Sequence, residues 1–523
     1  MITREQLIDK VKETDEWDVV VIGGGASGLG VAIDAISRGY KTVLFEGSDF
    51  AKGTSSKSTK LVHGGVRYLA QGNIGLVVEA LEERGILANN ASHLFSNLMF
   101  IIPNYNWWKG YYYAIGLKLY DLLSKRLSLG SSKLINRKET IKNLPTLKIK
   151  NLTSGVIYHD GQFDDSRLAI NLAQTILDNG GTAVNHLKVV NLTKTNDVVN
   201  GVVVEDQETG RKFKVRSKIV INATGIFTDD ILSLNDNTHK KSVVPSQGIH
   251  LVLDKSFLKS DKAIMIPKTS DGRVLFIIPW HNKVIVGTTD TLIEEHNLEP
   301  VALESEIEFI LNTMENYLIR KPKREEVFSV FAGLRPLAAP KDKNAKTKEV
   351  SRSHKVLVSD SKLISIIGGK WTTYRKMGED VIDKALEVHS LPFKKSETKD
   401  LKIHGHMILE KATLKNHLYI YGTDMNAIQA LQKENKNYLN KIHPNYDYTV
   451  AEVIWSVRQE MARTVEDILA RRVRLLFLDA RAAIEATPLV ASIIAKELKK
   501  DESWIKKQEI EFTSLAGNYI LTK

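Results

Sequence analysis

The apolar positions change period several times along the chain, and each change marks an element. WDVVVI (17–22) is a short β-branched run that predicts a buried strand; beyond the glycines the apolar residues recur at helical spacing up to Arg38-Gly39, and KTVLFE (41–46) predicts a second strand. Strand, helix and strand in that order predict a parallel βαβ unit. Residues 50–65 are polar and glycine-punctuated and predict a long functional loop, Val77–Leu87 predicts a helix, and 94–150 is irregular, aromatic and basic. A helix over 165–180 is followed by strand runs at 189–192, 198–205 and 213–215, with turn signals at Asn200-Gly201 and Thr209-Gly210, which predicts a small antiparallel meander. It leads into IVINATG (219–225), an apolar strand that stops at a glycine. VVPSQGIHLVL, VLFIIP and VIVGTT, between 243 and 289, predict a second, antiparallel sheet.

Late in the chain, a lysine-rich polar segment (341–355) precedes LISIIGGKWTTYRK, a strand, a glycine pair and a helix. Beyond about residue 395 the pattern is mostly helical. Met461, Val465, Ile468 and Leu469 are expected on one helical face, with Arg463, Asp467 and Arg471 spaced four apart on the polar side. The expected organisation is a discontinuous cofactor domain (1–93, 151–242 and 356–390), a cap or substrate domain (94–150 and 243–355) and a helical domain (395–523).

Composition narrows the function. The 523 residues are 43% hydrophobic and 26% charged, close to soluble globular proteins, and long enough for several domains. A net charge of +11 calls for an anionic partner: a phosphorylated substrate, an acidic membrane surface or nucleic acid. With no cysteine, disulfides, thiol catalysis, thiolate metal sites and cysteinyl cofactor links are excluded. The first sixteen residues carry both charges and no apolar run of signal-peptide length, and no stretch reaches the roughly 18 apolar residues of a membrane span. A cytoplasmic protein with at most peripheral membrane contact is expected.

Gly23, Gly25 and Gly28 form GxGxxG between a strand and a helix, and Glu46 ends the next strand. The first glycine permits a tight turn, the second lets backbone approach a pyrophosphate, the third lets helix and strand pack closely, and the acid can accept ribose hydroxyls. The cofactor is thus a dinucleotide, FAD or NAD. A single fingerprint, a polar loop, a distant NATG strand and a late GGK turn resemble the FAD-dependent oxidoreductases of glutathione-reductase and amino-acid-oxidase type. That resemblance favours FAD and an α/β fold: a Rossmann-like FAD-binding domain, an antiparallel-sheet substrate domain and a C-terminal helical domain.

GTSSKSTKLVHGGVRYL (53–69), VEALEER (78–84), FDDSRL (163–168), VIVGTTDT (284–291), AGLRPL (332–337), GGKWTTYR (368–375) and EMARTVEDILARR (460–472) sharpen the likeness. From about residue 17 to 485 the chain resembles the FAD-dependent glycerol-3-phosphate dehydrogenases. The resemblance implies oxidation of sn-glycerol 3-phosphate to dihydroxyacetone phosphate, with electrons passing from FAD to a membrane quinone at the inner face of the cell membrane. It implies Arg335 and Arg352 as the phosphate pair, with Arg67 and Tyr68 as further substrate contacts; an arginine fork suits a phosphate dianion. His250 is the candidate base, since a neutral imidazole can accept the hydroxyl proton, and Lys370 could stabilise an alkoxide or a reduced, anionic flavin. Ser55, Ser56, Lys60, Thr224, Gly225, Gly369, Lys370 and Thr372 are the implied FAD contacts, His63 is flavin-adjacent structure, and no metal is implied. Gln247 stands where the family usually has lysine.

The segment 106–127 interleaves Trp, Tyr, Lys, Leu and Ile, which suits a bilayer interface or the packing of a connecting helix. A soluble glycerol-3-phosphate oxidase that makes hydrogen peroxide is the nearest rival. A nucleic-acid-binding protein is the remote one, motivated by ARRVR (470–474) and set against the acids upstream of it on the same predicted helix. Nucleic acid is not expected, and a homodimer stays open.

Overall fold

The computed structural model describes residues 3–66, 69, 72–124, 127–339, 353–410 and 413–521. Two sheets organise them. The first is built on the predicted βαβ unit: Trp17–Ile22 lies parallel between Thr42–Phe45 and Lys212–Asn222, with Thr182–Val184 and Ile364–Ile367 extending the parallel set. Strands buried on both faces need continuous apolar runs, and Val19, Val20, Val21, Val43 and Leu44 are all buried. The helix Ala26–Ser37 packs against Asp165–Asp178 and Tyr374–Val388. The expected meander is present, its strands Leu187–Thr195 and Val198–Asp206 continuing antiparallel onto Lys212–Asn222.

The second sheet has ten strands. Its strand Val243–Asp254, near one edge, pairs antiparallel with Lys283–Gly287 and Ser329–Ala338. Side chains on a strand point alternately to opposite faces. Here Ile249, Leu251 and Leu253 join the core beneath the helix Glu304–Tyr317, while Val252 packs in the core of the C-terminal helices with Phe331 and Phe477. His250 shares the Val252 face by this alternation. The region expected to be irregular contains a ten-residue strand, Phe95–Asn104, and an eighteen-residue helix, Trp107–Ser124. Strand Ser154–Phe163, assigned by sequence to the cofactor domain, pairs along its length with Phe95–Asn104 and so belongs to the second sheet.

The C-terminal part is helical, but its first expected face is not continuous. Met461 adopts a left-handed backbone (φ 54°), and Asp467–Arg472 is wound as a wider π turn. Asp467 and Arg471, expected on a polar surface, are 1% and 2% exposed. The reason is mutual neutralisation. Asp49 accepts from Arg471 Nε at 2.5 Å and from both terminal nitrogens of Arg472, while Arg471 also reaches Asp467 at 2.8 Å. Arg167 forks onto Glu460 at 2.6 and 2.7 Å, and Arg474 reaches Asp165 at 3.0 Å. The arginines of ARRVR are therefore the interior ionic joint between the helical and cofactor parts, closed to any nucleic acid.

Candidate active site

One cavity of about 980 Å³ lies between the two sheets. Its walls include Gly23, Gly25, Glu46, Thr224 and Gly225 from the cofactor sheet, and His250, Thr288 and Arg335 from the substrate sheet. Gly368, Gly369, Lys370 and Thr372 also line it.

The glycine turn has the geometry that its sequence requires. Gly23 has φ 106°, and a Cβ at Gly28 would collide with the Gly23 carbonyl oxygen, so the third glycine is there for packing. Ser55 Oγ accepts from Ala26 N at 2.9 Å, in the first turn of the helix that faces the cavity. Helix N-terminal amides favour an anion here, as a dinucleotide pyrophosphate provides. Glu46 Oε2 accepts from Gly24 N at 2.6 Å and Oε1 from Ser48 N at 2.8 Å. Burial pushes its carboxyl up, against these two bonds that pull it down. Thr224 is tied back to Asn222 Oδ1 at 2.7 Å, and Thr372 Oγ1 accepts from His63 N at 3.3 Å.

On the substrate-sheet wall, His250 is 2% exposed and lies flat against Phe331, ring centroids 4.8 Å apart. Its Nε2 is 2.9 Å from Thr59 Oγ1, while Nδ1 has no hydrogen-bond partner among the described residues. Burial first, then the charges of Lys60 and Arg335, hold the imidazole well below its usual range. It is neutral near pH 7 and able to accept a proton. Arg335 is fixed by Gln247 O (3.3 Å), Asp290 Oδ1 (3.4 Å), Thr288 Oγ1 (3.1 Å) and Thr289 O (3.1 Å). The guanidinium passes directly over Gly248, where any Cβ would strike it.

Most of the residues singled out in the sequence meet at this cavity: Gly23, Gly25, Glu46, Ser55, His63, Thr224, Gly225, His250, Arg335, Gly369, Lys370 and Thr372. Ser56 and Lys60, expected as cofactor contacts, are not among its lining residues. Lys60 is fully buried, its Nζ 2.6 Å from both Asp165 Oδ2 and the Ser56 carbonyl, above the rings of Trp280, Phe331 and Phe477. The carboxylate of Asp165 draws it inward, and burial together with Arg474 lowers its ammonium to about 7. Arg67, Tyr68 and Arg352 lie outside the described residues. Sequence reasoning assigned no role to Thr59 or to the Thr288–Asp290 segment, although both lie within quoted motifs; only the folded register shows what they hold.

The cavity, the glycine turn and the two sheets define an FAD-dependent oxidoreductase: the FAD-dependent oxidoreductase family model matches residues 18–375, and the model of the C-terminal domain of alpha-glycerophosphate oxidase matches 359–505. FAD is the cofactor. The chain is 38% identical to mitochondrial glycerol-3-phosphate dehydrogenase of Rattus norvegicus over 97% of its own length and 74% of that protein. It is 36% identical to the mitochondrial enzyme of Saccharomyces cerevisiae over 99% and 92%. Among solved structures, it superposes on the FAD-complexed glycerol-3-phosphate dehydrogenase of Bacillus halodurans with TM-score 0.82 at 27% identity, covering 100% and 99% of the two chains. The chain belongs to the FAD-dependent glycerol-3-phosphate dehydrogenase family.

Proposed function

We propose that the chain oxidises sn-glycerol 3-phosphate to dihydroxyacetone phosphate and passes the electrons to a membrane quinone. The observation that carries this reading is a neutral, buried imidazole and an anchored guanidinium on the walls of one cavity with the Gly368–Lys370 turn. Arg335 supplies the guanidinium charge that holds the phosphate dianion, and its backbone-held geometry fixes the distance from phosphate to carbinol carbon. His250 takes the hydroxyl proton. A bound dianion offsets the cations that depress His250, so the base strengthens once substrate is in place. FAD supplies the hydride acceptor. Lys370 places its ammonium where negative charge develops on oxygen or on the flavin ring, and Arg67, Tyr68 and Arg352 complete the substrate contacts.

Anaerobic addition of glycerol 3-phosphate bleaches the flavin absorbance on this reading; an unbleached spectrum with saturating substrate overturns it. The match to an oxidase C-terminal domain favours a second reading, in which oxygen is the acceptor. Peroxide formation measured against reduction of a soluble quinone analogue separates the two.

Membrane access rests on the helix Trp107–Ser124. Trp107, Trp108, Tyr111, Tyr112, Ile115 and Leu122 project into solvent, Trp107 and Ile115 at 72% and 73% exposure. No helix among the described residues is long and apolar enough to cross a membrane. Aromatic rings at headgroup level, with Lys109 and Lys118 beside anionic lipid, suit peripheral docking. Vesicles containing anionic lipid should co-sediment with the protein in low salt, and less so after Trp107→Ser with Ile115→Ser.

A further inference from the structure

Glu306 lies behind the substrate sheet, in the first turn of the helix Glu304–Tyr317, and is 3% exposed. Oε1 accepts from the hydroxyls of Thr289 and Thr291, each at 2.7 Å. Oε2 accepts from Gln247 Nε2 at 2.7 Å and from Leu303 N at 3.2 Å. Among the described residues no lysine or arginine forms an ion pair with it. Its charge is met by four donors and the positive end of the helix.

Two of these four donor residues, Gln247 and Thr289, also hold Arg335 from the other side. The carbonyls of Gln247 and Thr289 accept from the guanidinium, and their side chains are clamped by Glu306. Thr289 Oγ1 also accepts from Ile249 N at 3.0 Å, which ties the Thr288–Asp290 segment to the strand that carries His250. One carboxylate thus fixes both backbone supports of the arginine, although the intervening sheet keeps it from the cavity. We propose that Glu306 is the positioning residue for Arg335, and that it sets the affinity of the site for the phosphate group of the substrate. This rests on the reading of Arg335 as the phosphate ligand.

The chemistry explains why a carboxylate is needed. Glu306 meets donors on both oxygens, so an amide in its place must turn its NH₂ group towards either the threonine hydroxyls or the Gln247 amide. Facing Gln247, the NH₂ meets another donor and that bond is lost; facing the threonines, it forces both hydroxyls to accept instead of donate, at Thr289 in competition with Ile249 N. In either orientation the charge assistance of the clamp is gone and the supports of Arg335 loosen. Gln247 is suited to its place because it donates to Glu306 while its carbonyl remains turned to Arg335.

The test compares Glu306→Gln, Thr291→Val and Arg335→Met as holoenzymes. In Glu306→Gln, KM for glycerol 3-phosphate should rise about tenfold while kcat stays within roughly threefold. The affinity for inorganic phosphate, measured by calorimetric titration, should weaken in parallel. Thr291→Val removes one donor and leaves every acceptor of Arg335 in place, so it gives a smaller shift in the same direction and serves if Glu306→Gln fails to fold. A merely structural role lowers thermal stability but leaves phosphate affinity in the folded holoenzyme unchanged, and that result overturns the proposal. If Arg335→Met itself leaves KM and phosphate affinity unchanged, the phosphate reading falls first. If Arg335→Met weakens both while Glu306→Gln and Thr291→Val do not, only the positioning role falls.

Discussion

The Nε2 of His250 lies 2.9 Å from the hydroxyl of Thr59, and the same imidazole is stacked on Phe331. Phe331 is in turn braced edge-on by Phe477, and Phe477 by Tyr519, so the candidate base is held at the end of an aromatic chain that begins in the C-terminal helices. The C-terminal helical part therefore helps determine where this ring on the substrate sheet can stand.

His250→Asn should lower kcat by about 10²- to 10⁴-fold, the usual contribution of a positioned base, with the flavin still bound. Thr59→Val should lower kcat about tenfold with little change in KM, because it frees the ring without touching the phosphate site. Steady-state kinetics on the purified holoenzymes checks both; an effect of Thr59→Val confined to KM would count against an orienting role.

The pH profile should report the cations around His250. Burial, Lys60 and Arg335 hold its imidazole well below 6.5, so it stays neutral through the physiological range. Below about pH 7, Lys60 is charged and contributes to that depression. Removing this cation in Lys60→Met makes imidazolium easier to form, and the acid limb of kcat/KM should move to higher pH. A limb that stays in place would show that Lys60 does not act on His250.

Asp49 is the buried anion on which Arg471 and Arg472 converge, and it is wholly inaccessible. Asp49→Ala leaves two buried guanidinium groups short of their partner and should cost about 3–5 kcal/mol. Chemical denaturation, followed together with limited proteolysis of the helical domain, measures the loss; near-wild-type stability would show that this joint is not what secures the domain.

His404 joins Asp178 at 2.6 Å and Asp424 at 3.0 Å. Burial pulls its pKa down, but the two carboxylates outweigh burial and raise it to about 9. Because the folded value lies above the unfolded one, the folded state holds the extra proton. The resulting stability is complete below about pH 6.5 and is lost as pH rises through 9. After allowance for solvent screening, the expected contribution is about 2 kcal/mol. His404→Gln should remove this slope between pH 6.5 and 9 in denaturation curves; an unchanged slope would assign the window to other groups.

Local pattern determined the βαβ unit, the fingerprint Gly23, Gly25 and Gly28, the acid at Glu46 and the antiparallel substrate strands, because period, turn chemistry and close packing are properties of neighbouring residues. Family motifs brought His250, Arg335 and Lys370 into view together. Tertiary structure decided what lies far apart in sequence. It turned Lys60 away from the cavity towards Asp165, drew the arginines of 471–474 into the interior against acids up to 423 positions away, and moved strand Ser154–Phe163 into the second sheet. It also set Glu306 behind Arg335. Charge in a linear sequence indicates solvent until a buried counter-charge is found, and only the fold supplies that partner.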